Sequence, residues 1–351
     1  MLERVRTTWV IVVVLLPPAW VACEQDATEL RAARSVAVRS DTRAASKLEP
    51  QADEPEAVGF ERFAGSAFSV EQIVRVLASS ALTDLRPVGS TSVVLRADLD
   101  APFRAALKLA THERPLAPAN EAAAYRLSRC LGLTTVPPAV LRRMPYRNLE
   151  QALEPRFLER WAASSPRLIA DAATQVEGAA IFWIEGLRDL PIAEREQREP
   201  VLHALLQGSP VAQDQQLMAA QLSDLSVFDL LLGNGDRWSG GNVQGDASGQ
   251  WLYIRDHDLA FASHLRPEVE MRLFGQLAQV ERFSRALIGR VRSLNEANFE
   301  REWAKDPLLA SRSAWLKERV LPGVMQRRGK LLDHVQSLVV RHGEAAVLAF
   351  P

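Results

Sequence analysis

The stretch LLLGNGDRWSGGN, Leu230–Asn242, decides how the rest of the chain is read. An apolar run halts there at four glycines set around the pair Asp236 and Arg237. Just upstream, SDLSVFD (223–229) carries apolar residues at helical spacing, so the acid lies in a glycine-rich loop after a helix. Downstream, WLYI (251–254) reads as a buried strand and runs straight into RDHDLAF (255–261), which sets two more acids at a strand end. Glycine lets backbone approach a ligand closely. An acid in such a loop, followed by acids at a strand end, is the pattern of a site that handles metal and phosphate. A tight surface turn uses Gly, Asn and Asp as well, so the loop by itself leaves both readings open.

Composition narrows the field. The chain has 351 residues, 47% hydrophobic and 24% charged, which suits an ordinary globular protein with room for one large or two modest domains. A net charge of -1 gives no electrostatic case for nucleic acid as a main partner. The basic residues are nearly all Arg, with only five Lys, so a Lys inside an apolar strand stands out. Cys23 and Cys130 make neither a disulfide framework nor a zinc ligand set. The six His lack the spacing of a zinc enzyme.

At the N-terminus, Arg4 and Arg6 precede an apolar run from Trp9 to Leu16, then Pro17, Pro18 and small residues. That is the layout of a secretory signal; it is shorter than the roughly 20 residues of a bilayer span. WVAC (20–23) looks like the lipobox of bacterial lipoproteins, with Trp20 where Leu is usual. Cys23 would then be the lipidated first mature residue. A conventionally cleaved signal, an uncleaved anchor and a cytoplasmic start are the alternatives. Residues 1–23 are thus expected to be a signal or lipoprotein segment, placing the protein outside the cytoplasm on a membrane. Residues 24–66, rich in Ala, Arg, Asp, Glu and Ser without an apolar period, are expected to be a disordered tether. No internal repeat is visible.

From there the pattern reads as structure. SVEQIVRVLASSAL (69–82) predicts a helix with Ser69 and Gln72 as a capping box. SVVLRAD (92–98) and FRAALKLA (103–110) read as strands of a hairpin, joined by a polar turn. The turn VGSTS (88–92) before them is either a plain turn or a phosphate loop, in which Gly89 and Ser90 would offer backbone N–H groups and a hydroxyl. Lys108 is sharper, because it has apolar neighbours on both sides. Its ammonium either snorkels to water or meets a partner or ligand anion. The next helix, NEAAAYRLSRCLGL (120–133), is expected to start at a cap on Asn120, carry Glu121 in its first turn and end at Gly132. A Glu there also suits the helix dipole alone. A strand Lys followed by a helix Glu is nonetheless how kinase-type phosphotransferases hold nucleotide phosphates.

TTVPPAVLRRM (134–144) and EGAAIFWIEGL (177–187) read as further strands. In a two-lobed kinase, Phe182 to Gly186 would be the hinge facing the adenine. Residues 67–186 then form a small β-rich lobe and 187–351 a larger helical lobe, with Leu, Val and Phe as core and Arg as a solvated face. Asp236 acquires a role in this order: phosphoryl transfer needs a carboxylate that accepts or orients the acceptor hydroxyl. Asp256, right after WLYI, fits a metal-binding Asp, and the amide oxygen of Asn242 would complete an oxygen set for Mg²⁺ or Mn²⁺.

SDLSVFDLLLGNGDRW and RDHDLAF resemble the Asp-Arg-His and Asp-Asn-Gly motifs of the secretory-pathway kinase family, which includes the Golgi casein kinase and a xylose kinase. NEAAAYRLSRCLGLTTVPP is similar to the Glu-containing helix of that group and its bacterial relatives. The match runs roughly from Leu85 to Phe261, and the Asp-Arg part extends to the wider clan with phosphatidylinositol and HipA-like kinases. The resemblance implies an α+β, two-lobed, protein-kinase-like fold using ATP with Mn²⁺ or Mg²⁺. It implies that Lys108 binds ATP, Glu121 places Lys108 or metal, Asp236 is the catalytic base and Asp256 the metal ligand. Three positions depart from the pattern. Trp238 replaces the usual His, Asn242 follows Asp236 by six residues, and Asp258 stands where the family has Gly. The expected activity is transfer of the γ-phosphate to a hydroxyl on a protein, glycan or lipid. The alternative is a pseudokinase that binds nucleotide or protein without turnover.

Overall fold

The computed structural model describes residues 62–89, 92–207, 211–239, 241–262 and 264–351. The expected signal segment, Cys23, the tether up to Glu61, and Ser90 lie outside the described residues. The fold is α+β, with a β-sheet lobe followed by a larger helical lobe.

The small lobe opens with α1 (Val70–Ser79), where Ser69 accepts the Gln72 N–H at 3.1 Å and Ile73 and Leu77 are fully buried one turn apart. Three strands follow, β1 (Leu82–Val88), β2 (Val94–Leu99) and β3 (Ala105–Leu109), each antiparallel to the next. The expected hairpin is therefore present, with Leu95 opposite Leu107 and Val94 opposite Lys108. After α2 (Ala117–Leu131) come β4 (Ala139–Pro145), α3 (Tyr146–Ala152), α4 (Leu158–Ser164) and β5 (Gln175–Phe182), closing a sheet of order β1-β2-β3-β5-β4.

The alternation of side chains across a strand decides where Lys108 goes. Leu107 and Leu109 enter the apolar core formed with α1, so Ala106 and Lys108 face the opposite side, toward α2. Gly178 of β5 allows this packing, since a Cβ there would lie 2.8 Å from Leu109 Cδ2. Two sequence expectations need correction. Phe63 and Ala64, assigned to the tether, are buried; Phe63 stacks on Tyr253 at 5.5 Å and contributes to the small-lobe core. Asn120 is not the cap of α2: the helix starts at Ala117 with Pro118 in its first turn, a favoured place for proline, and Asn120 sits buried inside it. Its end is as expected, with Gly132 left-handed at φ 71°.

The helical lobe contains α5 (Arg195–Leu206) and α6 (Gln216–Leu232), with a small sheet of β6 (Arg188–Asp189), β7 (Gln244–Gly245) and β8 (Leu252–Tyr253). Only two residues of WLYI pair as a strand; Ile254 instead donates its N–H to the Thr135 carbonyl at 3.1 Å, which ties this sheet to the small lobe. Then come α7 (Pro267–Leu277), α8 (Arg285–Ser293), α9 (Glu296–Trp303), α10 (Pro307–Ala310), α11 (Ser313–Trp315), α12 (Leu321–His342) and α13 (Glu344–Val347). Not every Arg here belongs to a solvated face. Arg327 of α12 is buried, and its Nε and Nη2 donate to the Leu231 carbonyl at 3.0 and 2.9 Å, satisfying the end of α6.

Polar contacts also join the two lobes. Asp306 accepts the Leu141 N–H at 3.0 Å while capping α10, and one nitrogen of Arg312 contacts both oxygens of Glu177 at 2.6 and 2.5 Å. Among the described residues no helix is long and apolar enough to cross a membrane.

Candidate active site

The loop after α6 begins at Gly233, left-handed at φ 69°, where a Cβ would meet Leu265 Cδ2 at 3.0 Å. The left-handed φ is what favours glycine there. From this turn Asn234 accepts the Asp236 N–H at 3.3 Å and donates to Asp229 Oδ1 and the Asp256 carbonyl, each at 3.3 Å. Arg237 is the centre of the arrangement. Its Nε and Nη2 each lie 2.8 Å from an oxygen of Asp229, and its Nη1 donates to the Asn242 carbonyl at 3.1 Å and to the Arg255 carbonyl. One buried guanidinium therefore fixes the end of α6, the glycine loop and the residue before Asp256. Burial opposes its charge, but Asp229 outweighs burial and raises its pKa above the ordinary arginine value.

Lys108 lies between two remote acids. Its Nζ is 2.6 Å from Glu121 Oε1, 2.6 Å from Asp256 Oδ1 and 3.9 Å from Asp258 Oδ2. Glu121 is held in turn by His257, whose backbone N–H donates to Oε1 at 3.0 Å and whose Nδ1 is 3.1 Å from Oε2. Burial disfavours both charges, yet Glu121, Asp256 and Asp258 raise the Lys108 pKa above the ordinary lysine range. Likewise Lys108 and His257 overcome burial and hold Glu121 well below the usual carboxylate range. Asp256 has a positive φ of 65°, a conformation that Asp tolerates better than most residues, and one seen at ligand sites.

Lys108, Glu121, Asp256 and His257 border a cavity of about 520 Å³. Val94 and Ala106 of the sheet, Pro137, Ile184 and Leu187 supply its apolar walls; Lys108, Glu121, Glu185, Arg255 and Asp256 supply its charge. Phe182 and Trp183 spend their N–H groups on the Pro138 and Arg104 carbonyls at 2.9 and 3.1 Å. Among the described residues, the N–H groups of Ile184, Glu185 and Gly186 have no partner, which leaves three donors free beside the cavity lining. Gly89, at φ 75° with open space around it, also borders the cavity, and Arg160 of α4 donates to its carbonyl.

The structure thus gathers Lys108, Glu121, Asp256 and Gly89 about one cavity. Asn242 does not line that cavity; its Nδ2 donates to the Asp236 carbonyl at 3.2 Å, which leaves its amide oxygen free of that bond. Asp236 borders a different depression of about 300 Å³, with Gly235, His264, Arg266 and Arg272. Trp238 packs against the large-lobe core, and Arg198 lies 4.2 Å over its ring. The support of the loop comes from Arg237 and Asp229 instead. Asp229, Asn234 and His257 were not singled out in the sequence. An acid inside the apolar turn VFDLLL was a signal for the first; nothing local marked the other two.

No protein-family model matches the chain, and no curated protein is similar to it. Solved structures are. The Golgi casein kinase superposes with a TM-score of 0.59 at 16% identity, covering 80% of this chain and 78% of that one. The fold is that of the Golgi casein kinase. The same kinase with Mn/ADP bound gives a TM-score of 0.60 at 15% identity, again over 80% and 78% of the two chains. A hydra Fam20 structure with sugar gives 0.55 at 17% identity over 81% and 93%. In this Golgi casein kinase fold the sheet with Lys108 and the helical lobe with Asp256 face each other across the cavity.

Proposed function

We propose that the chain is an ATP-dependent phosphotransferase that moves the γ-phosphate to a hydroxyl of a protein or glycan. The observation that carries this reading is Lys108, buried and held at 2.6 Å by both Glu121 and Asp256 at the wall of a cavity large enough for a nucleotide. In this reading the apolar walls and the free N–H groups after β5 take the adenine, and Lys108 takes phosphate oxygens. Gly89, at the end of β1, approaches the phosphates. Asp236 accepts the acceptor's proton as the new O–P bond forms and ADP leaves.

The donor set fits a divalent cation brought with the nucleotide. Among the described residues no three acids, histidines or cysteines are grouped as a metal cage. Asp256 and the Asn242 amide oxygen offer oxygen ligands of the kind that Mg²⁺ and Mn²⁺ combine with substrate phosphates. That cation would neutralise charge developing on the transferred group.

A nucleotide-binding module without turnover is the second reading. It is favoured by the separation of Asp236 from the nucleotide cavity and by Asp258 in place of the motif's glycine. Extracytoplasmic anchoring through a lipidated Cys23 completes the proposal and is tested by mass and membrane partition of the mature protein. The test of activity is ATP consumption and self-phosphorylation by the full chain with Mn²⁺ and with Mg²⁺, beside Asp236→Ala. Activity lost in the variant supports the transferase; binding of ATP without consumption supports the second reading.

A further inference from the structure

Asp258 departs from the glycine of the related motif, and its contacts give the departure a purpose. Its carboxylate is buried, with the side chain 5% exposed. Oδ2 accepts from Arg114 Nη1, accepts from Ser92 Oγ at 3.3 Å, and lies 3.9 Å from Lys108 Nζ. Its carbonyl accepts the Asn120 Nδ2 at 2.7 Å. Three separate stretches are thereby drawn to one residue: Ser92 where β2 approaches, Arg114 between β3 and α2, and Asn120 inside α2. A glycine would keep only the carbonyl bond.

Electrostatics agrees with this geometry. A third acid close to Glu121 and Asp256 is repelled unless a cation compensates it, and Arg114 is that cation. Asp258 does not border the nucleotide cavity, whereas Ser92 does. So the acid reaches the cavity lining through Ser92, and it also lies 3.9 Å from the Lys108 ammonium.

We infer that Asp258 is a positioning residue: with Arg114 as counter-ion it holds Ser92 and the start of β2 beside Lys108, and so sets nucleotide affinity. The inference rests on the nucleotide reading above, and two independent measurements separate their failures. The first is hydrogen exchange of residues 92–95 in the full chain without nucleotide. Asp258→Asn and Arg114→Gln should each speed exchange there. The second is binding of ADP with Mn²⁺. Each variant should weaken it about tenfold, the scale of one charge-assisted hydrogen bond, and the double variant should bind no worse than the weaker single. The KM for ATP should rise while turnover at saturation holds within about twofold, the mark of uniform binding lost. Unchanged exchange and affinity in both variants overturn the inference. Faster exchange with a wild type that binds no ADP overturns the nucleotide reading, and with it the affinity claim. Should Asp258→Asn fail to fold, Arg114→Gln, at a side chain 33% exposed, decides the matter.

Discussion

Arg237 meets Asp229 through two parallel bonds of 2.8 Å, a fork closed on a carboxylate in the interior of the large lobe. The same guanidinium bonds the carbonyls of Asn242 and Arg255, so the loop with Asp236 and the strand end with Asp256 share one support. Removing one partner of such a pair leaves an uncompensated buried charge. Arg237→Met should therefore cost about 3–5 kcal/mol of stability. Urea unfolding of the full chain measures it; a loss below about 1 kcal/mol would make the fork dispensable.

Asp256 is the acid that Lys108 shares with Glu121. If it also holds the nucleotide's cation, Asp256→Ala abolishes the gain in ADP affinity that Mn²⁺ provides. Calorimetry with and without Mn²⁺ checks this. A variant that keeps the wild-type response to Mn²⁺ removes Asp256 from the metal site.

Asp236 lines a depression apart from the nucleotide cavity, so its removal should spare nucleotide binding. Asp236→Ala should retain ADP affinity and lower transfer by about 10²–10⁴-fold, the usual contribution of a general base. Transfer at the wild-type rate would place the base elsewhere.

Asp224 of α6 gives a pH test that does not involve the site. Its Oδ1 is sealed from solvent without a hydrogen-bond partner among the described residues, and burial pushes its carboxyl up to about 7. A carboxyl raised in the folded state favours folding fully below its unfolded value of about 3.9, and that contribution is lost as pH rises through the folded value. Asp224→Asn stays neutral, so it should melt several degrees above wild type at pH 8 and level with it below about pH 4. An equal melting temperature at pH 8 would show that Asp224 finds a partner in solution.

Much of the fold was legible because its causes are local. The alternation in AALKL set Lys108 against the apolar side of β3, and Gly132 and Gly233 marked the ends of α2 and α6. The start of α2 was misread because Asn120 is a good cap in isolation, while Pro118 two residues earlier opens the helix and frees Asn120 to bond Asp258. Arg327 was read as solvated because charge alone does not show that the last turn of α6 needs a donor.

By itself, then, the sequence determined several of the helices, the β2–β3 hairpin and the identity of Lys108, Glu121, Asp236 and Asp256 as unusual residues, through periods of two and 3.6 and through backbone preferences that span a few positions; α3 and α4 had no such mark. Tertiary structure alone decided which of them meet. Lys108 and Asp256 are 148 positions apart, and His257 reaches Glu121 across 136. No local pattern encodes such pairs. They arise because a buried ammonium and a buried carboxylate are each too costly without a partner, and the packing of sheet, α2 and α6 brings those partners into reach.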